Sequence, residues 1–293
     1  MPVDLRTCRS DITSQSGENG VIAAIFCEIG ITNRFCVEFG GYDAVKYSNV
    51  NPLWTREGFT AVIIEGDPAV ARKVQEQVEQ ITRAGIAAGG RCVVVARWVQ
   101  PSGPDGLDGI LAGLAATGVQ VPREPDLVSI DIDSVDYQVW DGITHHRPRV
   151  VVIEHNPSVP TQFSIIGEPG KVRVGASARA LYDLGVKKGY TLVGCTKFNS
   201  FFVADELKPR ERFVDAGNLG THFDTSQIVY VMRAYDGGMF YSSRLRAAYS
   251  LRASEIEGFA PGKGFATRPS DLTGLLRHPK LIVKRAWDRL TGR

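Results

Sequence analysis

Short, unbroken apolar runs alternate along this chain with segments whose apolar residues recur every three or four positions. The runs are Phe35-Cys36-Val37, Ala61-Val62-Ile63-Ile64, the stretch from Arg91 to Val99, Leu127-Val128-Ser129-Ile130 and Val150-Val151-Val152-Ile153. Continuous apolar runs of this length predict strands buried on both faces, as in a parallel sheet. Helices are predicted between them. One follows Ser16-Gly17-Glu18-Asn19 and stops near Gly30, with Glu18 suiting the dipole of its first turn, and a short one from Ser48 to Glu57 is closed by Gly58. A third from Pro68 to Ala84 starts behind Asp67, carries Val74, Val78 and Ile81 on one face and is capped by Gly85. Further helices are expected around Tyr137 to Ile143 and from about Ser177 to Lys188, the latter ended by Gly189. Two last runs, Tyr190 to Cys195 and Ser200 to Ala204, are separated by Thr196-Lys197-Phe198-Asn199, which is hairpin spacing.

Five strands alternating with helices and closed by a hairpin predict an α/β fold. It is a three-layer sandwich with a Rossmann-like seven-stranded sheet, mostly parallel with an antiparallel C-terminal hairpin. The expected division is an irregular N-terminal segment at 1–15, the α/β domain at 16–205 and a C-terminal extension at 206–293, where the alternation fades. The segment at 101–109, rich in Gly, Pro and Asp, reads as a loop.

Bulk composition narrows the picture. The 293 residues, 43% of them apolar, suit one α/β domain with an appendage, and a net charge of +2 gives no reason to expect nucleic acid as a partner. Five cysteines form no C-x-x-C pair, and Cys36, Cys92 and Cys195 fall in expected strands, so free thiols in a reducing compartment are expected. The N-terminus has no apolar signal core, and no segment has the roughly 18 uninterrupted apolar residues of a membrane span, so the expected location is cytoplasmic. From Leu275 to Leu290, Lys280, Lys284, Arg285 and Arg289 interleave with Leu281, Ile282, Val283 and Trp287 as a basic amphipathic helix. Such a helix packs on its own domain or on a partner subunit in a homo-oligomer, or rests on an anionic membrane as a peripheral contact.

The candidate chemistry sits at strand ends. Glu38 precedes Gly40-Gly41, Glu65 precedes Gly66-Asp67, Asp131 and Asp133 end the fourth run, and Glu154 precedes His155-Asn156. Ligands in open α/β sheets bind outside the carboxyl ends of the strands, so four acidic ends predict one polar site. Glycines after Glu38 let a backbone approach a ligand closely, and Glu65 stands about 20-odd residues on, where nucleotide-binding folds place an acid on ribose hydroxyls. The chain lacks a phosphate-binding Gly-x-x-x-x-Gly-Lys-Ser/Thr loop and a full Gly-x-Gly-x-x-Gly, which counts against ATP and dinucleotides. Asp131, Asp133 and Asp136 are hard oxygen donors suited to Mg²⁺, and Glu154 and Asn156 on the next strand are placed to complete the set. Against this, Asp133 or Asp136 also suits a helix cap. His155 has the intrinsic pKa for abstracting a hydroxyl proton, or else a purely structural place, with His145, His146 and His222 weaker candidates. Tyr42, Tyr47, Trp54 and Trp140 suit either a pocket lining or the core.

Taken in order, several motifs resemble those of the FkbM-type methyltransferases of the class I superfamily, which use S-adenosylmethionine. They are Ser16-Gly17-Glu18-Asn19-Gly20, Val37-Glu38-Phe39-Gly40-Gly41 with Ser48-Asn49, Ile63-Ile64-Glu65, Ser129-Ile130-Asp131-Ile132-Asp133 through Asp136-Tyr137 and Trp140, and Val152-Ile153-Glu154-His155-Asn156-Pro157. The similarity covers about residues 14–205. It implies that Glu38, Gly40 and Gly41, with Ser48, flank the methionine part of the cofactor, that Glu65 binds the ribose hydroxyls, and that Asp131 faces the sulfonium and the acceptor. It also implies transfer to a hydroxyl of a sugar, glycan or natural product, with Mg²⁺ in some related sugar methyltransferases. This chain departs from the pattern at Asp43-Ala44-Val45, where many relatives carry a further glycine. Methyl transfer from a sulfonium needs alignment and removal of the hydroxyl proton, and Asp131 and His155 are the residues placed to serve it. Two other readings stay open. One is a metal-dependent glycosyltransferase using Asp131-Ile132-Asp133 as an Asp-x-Asp site; the other is a non-catalytic membrane-associated scaffold whose working part is the basic tail.

Overall fold

In the computed structural model of the chain, residues 1–87, 89–167, 175–228, 231–233, 235 and 239–241 are described. The expected basic helix at 275–290 lies outside them. The chain divides into two compact units, Met1–Ile228 and Val229–Arg293.

The first unit is built on a seven-stranded sheet of strands β1 Phe35–Phe39, β2 Thr60–Glu65, β3 Arg91–Ala96, β4 Leu127–Ile130, β5 Val150–Glu154, β6 Tyr190–Cys195 and β7 Asn199–Ala204. Their spatial order is β3-β2-β1-β4-β5-β7-β6. The first five strands run parallel, and β7 pairs antiparallel with both β5 and β6. This is the mostly parallel, Rossmann-like sheet with a closing hairpin that the apolar runs predict. Successive strand residues point to opposite faces. One face carries Cys36, Ala61, Ile63, Leu127, Val150, Val152, Phe201 and Val203, and it is covered by helices α1 Glu18–Ile29, α2 Asn51–Arg56 and α3 Pro68–Arg83. The other carries Val37, Val62, Ile64, Val128, Ile130, Val151, Ile153 and Phe202, covered by α4 Leu107–Ala116, α5 Asp136–Gly142 and α6 Ala178–Lys187. Three helices on each face make the three layers.

Helix α4 was not anticipated, since its sequence, with Gly109 and Gly113, falls partly in the stretch read as a loop. Two glycines lower helix propensity, but burial of Leu107, Ile110 and Leu111 against the sheet overrides it. The expected short helix begins at Asn51 rather than Ser48, because Ser48 and Asn49 are held by Glu38. Trp54 and Trp140 are fully buried core residues, whereas Tyr42 and Tyr47 are exposed. The N-terminal segment holds a 3-10 turn at Leu5–Thr7, which buries Leu5, and an isolated parallel bridge of Val3 with Phe213. Residues 205–228 continue the packing of this unit with short helical turns, burying Phe213, Leu219 and Phe223. The second unit contains a two-stranded antiparallel ladder, Val231–Arg233 with Met239–Tyr241. All five cysteines are free thiols, with Cys36 and Cys195 buried. No helix among the described residues is long and apolar enough to cross a membrane.

Candidate active site

Strand alternation decides where the acidic ends point. Glu38 shares parity with Cys36, Glu65 with Ala61 and Ile63, Asp131 with Leu127 and Ser129, and Glu154 with Val150 and Val152. All four therefore project to the layer containing α1–α3, at the carboxyl ends of four neighbouring strands. Chain order reverses between β1 and β4, which lie side by side, so Glu38 and Asp131 flank the topological switch point, outside which open α/β sheets form their ligand crevice.

The turn after β1 is made to fit that crevice. Gly40 adopts φ 71°, and a Cβ there would stand 2.2 Å from the Asp131 carbonyl oxygen. Only glycine lets the two strand ends meet so closely. Beyond it, Tyr42, Ala44 and Tyr47 all take positive φ, so Ala44 holds a left-handed backbone within Asp43-Ala44-Val45, the segment where the chain departs from the pattern. Such backbone is stored strain, and it clusters here.

Glu38 is 4% exposed. The Ser48 hydroxyl donates to its Oε2 and the Asn49 amide to its Oε1, each at 2.6 Å. Burial pushes the carboxyl up to about 7, against the opposing pull of these donors. The Asn49 side chain in turn donates to Ser129 Oγ on β4 at 3.0 Å, tying the loop across the switch point. Glu65 is half-buried, and its carboxylate accepts from the Asp67 amide.

Asp131, Asp133 and Glu154 bring carboxylate oxygens within 4.8 Å of one another. Burial, followed by the nearby charges of Asp136, Asp133, Glu38 and Glu18, drives Asp131 well above the ordinary carboxylate range. Asp136 fixes the loop that carries this group: its oxygens accept from the Ile132 and Ser134 amides, and Asp133 between them stands at φ 59°. Burial raises Asp136 to about 6. Neither capping reading holds: the N-cap of α5 is Val135, with no side-chain cap bond, so Asp136 braces the loop ahead of the helix, whereas Asp133 joins Asp131. Asn156 directs its Oδ1 to the Ser158 amide and hydroxyl. His155 is 1% exposed, its Nδ1 lies 3.0 Å from Ser200 Oγ, and burial lowers its pKa to about 3. The imidazole is therefore neutral at pH 7, and its Nε2 is buried without a hydrogen-bond partner among the described residues. His146 and His222 serve as local struts, bonded to Asp108 and to the Asp215 carbonyl.

Four residues of the site's frame had no role in the sequence reading: Asn19, Ser129, Thr196 and Asn199. The partners that tie them into the frame lie 29 or more positions away, so no local pattern announces them. Asn19 and Ser129 fall within the motifs that carry the resemblance, and Thr196 and Asn199 bound the expected hairpin turn, but none of their contacts is legible there.

The donor types can be matched to ligands. Three convergent carboxylates form a hard-oxygen set that suits Mg²⁺. A glycine turn in contact with Asp131 and an acid at the end of β2 suit a nucleoside whose other end carries a cationic centre.

No family model matches the chain, and no curated protein matches it. Among solved structures it is similar to an O-methyltransferase from Bacillus cereus in complex with S-adenosylhomocysteine, at 16% identity over 66% of this chain and 84% of that one, TM-score 0.40. It is similar as well to an O-methyltransferase from Streptomyces achromogenes involved in tomaymycin synthesis, in complex with S-adenosylmethionine, at 18% identity over 66% and 82%, TM-score 0.39. A third is an S-adenosylmethionine-dependent methyltransferase from Clostridium acetobutylicum, at 8% identity over 69% and 92%, TM-score 0.40. At these values the likeness assigns no activity, and function has to be argued from the chain's own residues.

Proposed function

We propose that this chain is an S-adenosylmethionine-dependent O-methyltransferase acting on a hydroxyl of a sugar, glycan or natural-product acceptor. The observation that carries the reading is the meeting of Gly40 and Asp131 at the switch point of the sheet, with acids at the ends of β1 and β2 on the same face. A ligand crevice belongs at that point, and its residues suit a cofactor with vicinal ribose hydroxyls at one end and a cationic sulfonium at the other.

In this reading Glu65 accepts from the ribose hydroxyls, and the Gly40-Gly41 turn admits the methionine part beside the loop that Glu38 and Ser48 hold in place. The bound cofactor supplies an electrophilic methyl group. Asp131 faces both that group and the acceptor and is the carboxylate placed to take the hydroxyl proton. A raised pKa makes a carboxylate a better base near neutral pH. His155, expected as the alternative base, shares the parity of Val151 and Ile153, faces the opposite layer and is buried against Ser200 and Phe223, which removes it from that part. Were Mg²⁺ bound, Asp131, Asp133 and Glu154 would hold it and it would polarise an acceptor hydroxyl, and Asp131 would then serve as a ligand instead of the base.

Calorimetric titration with S-adenosylhomocysteine, with and without Mg²⁺, tests the reading. Micromolar binding that weakens about tenfold or more in Glu65→Ala is expected. Absence of binding under both conditions overturns it. The proximity of Asp131, Asp133 and Glu154 also favours a second reading, a glycosyltransferase holding a nucleotide-sugar diphosphate through the metal. Titration with UDP- and GDP-sugars in the presence of Mn²⁺ separates the two.

A further inference from the structure

The first turn of α1 carries two adjacent buried polar residues, Glu18 and Asn19, that the proposed chemistry does not use. Glu18 accepts from the Gln15 and Ser16 amides and, on its other oxygen, from Thr196 Oγ1 at 2.6 Å and Asn199 Nδ2 at 3.4 Å in the β6–β7 turn. Asn199 is the register partner of Glu154. Asn19 is bonded on both ends of its amide. Its Oδ1 accepts from the Ile12, Thr13 and Ser14 amides at 3.0, 2.8 and 2.8 Å, and its Nδ2 donates to the Ser48 and Asn49 carbonyls at 3.3 and 3.2 Å. Thr13 Oγ1 adds a second donor to the Ser48 carbonyl at 2.8 Å.

These partners leave no freedom of orientation. Three N–H donors surround one end of the amide and two carbonyls the other, so only an asparagine with its oxygen toward residues 12–14 satisfies all five. The same two residues whose carbonyls Asn19 holds, Ser48 and Asn49, are those whose hydroxyl and amide hold both oxygens of Glu38. The result is one continuous chain of bonds from the N-terminal strap at 11–14, through Asn19 and the 48–49 turn, to the carboxylate at the end of β1.

We infer that Asn19 is a positioning residue for the cofactor pocket, bracing the N-terminal strap against the Ser48–Asn49 turn and thereby setting Glu38 beside the Gly40 turn. The inference rests on the methyltransferase reading for the identity of the ligand, but the brace itself does not. Asn19→Asp keeps the oxygen that receives the strap and turns an acceptor, instead of a donor, toward the two carbonyls. In the full-length chain this variant is expected to melt at a lower temperature, because a buried acceptor now faces two carbonyls, and, where it is fully folded, to bind S-adenosylhomocysteine at least tenfold more weakly than the wild type. Amide hydrogen exchange should speed up at Asn49 while Ile12, Thr13 and Ser14 stay protected. A purely structural residue would lower the melting temperature and leave the affinity of the folded protein unchanged, so unchanged affinity overturns the inference, whatever exchange shows. Unchanged exchange at Asn49 overturns the brace. Should Asn19→Asp fail to fold, Thr13→Val removes the other donor to the Ser48 carbonyl and is expected to move both readouts in the same direction. If the wild type binds no S-adenosylhomocysteine, the methyltransferase reading fails on its own, and exchange at Asn49 still decides whether the brace exists.

Discussion

Gly40 shows how much one residue can settle. Its φ of 71° and the 2.2 Å that a Cβ would leave to the Asp131 carbonyl oxygen combine a conformational and a steric demand. Gly40→Ala should therefore cost about 2–4 kcal/mol, the sum of a left-handed alanine and local overpacking, read as a lower urea midpoint together with loss of S-adenosylhomocysteine binding. Glu38 makes a pH prediction with a definite sign. Its carboxyl titrates near 7 in the folded chain and near the ordinary 4.5 when unfolded, so between those values the folded state binds more protons. Stability from this group is highest below about pH 4.5 and falls as pH rises to about 7, then levels off. Thermal melts of Glu38→Gln across pH 5 to 8 should show a flatter profile than the wild type; equal slopes would mean that Glu38 is ionised throughout. Both residues were legible in the sequence as an acid and a glycine at a strand end. Their partners Ser48, Asn49 and Asp131 were readable as residues but not as contacts, because the fold brings them together from 10 to 91 positions away.

At the scale of elements, the two ends of the sheet divide the work. The carboxyl ends carry the strained loops and the acids of the candidate site, and the opposite end carries the anchor. Asp126, fully buried just ahead of β4, accepts from the Thr32, Asn33 and Arg34 amides and from the guanidinium of Arg149 just ahead of β5. Arg149 also donates to the Ile29 and Gly30 carbonyls at the end of α1. Removing one partner of a buried pair strands the other, so Arg149→Met should cost about 3–5 kcal/mol by denaturant unfolding. S-adenosylhomocysteine affinity should stay unchanged, since the pair lies at the far end of the strands; a parallel loss of affinity would show that the two ends are coupled. Helix α4 illustrates the limit of local reading. Glycines at 109 and 113 obscure its periodicity, and it exists because Leu107, Ile110 and Leu111 complete the layer over the sheet.

The whole molecule adds a division of labour along the chain. The unit Met1–Ile228 contains both sides of the sheet, every residue of the candidate site and the short turns that bury Phe213, Leu219 and Phe223. A chain ending at Ile228 should therefore unfold in one cooperative transition and bind S-adenosylhomocysteine as the full chain does. One ending at 205 should be markedly less stable because it exposes the surface those three residues cover. Circular dichroism melts of the two fragments check this directly.

The sequence by itself determined the strands, most helices and the placement of an acid at the end of each of four strands, because burial on both faces demands unbroken apolar runs and tolerates charge only where a run ends. It also marked the glycine turn after β1. What only the tertiary structure decided is which of those acids act together. Register and parity put Asp131, Asp133 and Glu154 in one cluster, gave Asp136 to the loop and closed His155 into the interior, while Glu38 was bound to a turn carried by Asn19. Those outcomes depend on contacts between residues far apart in the chain, and no local pattern of polar and apolar positions encodes them.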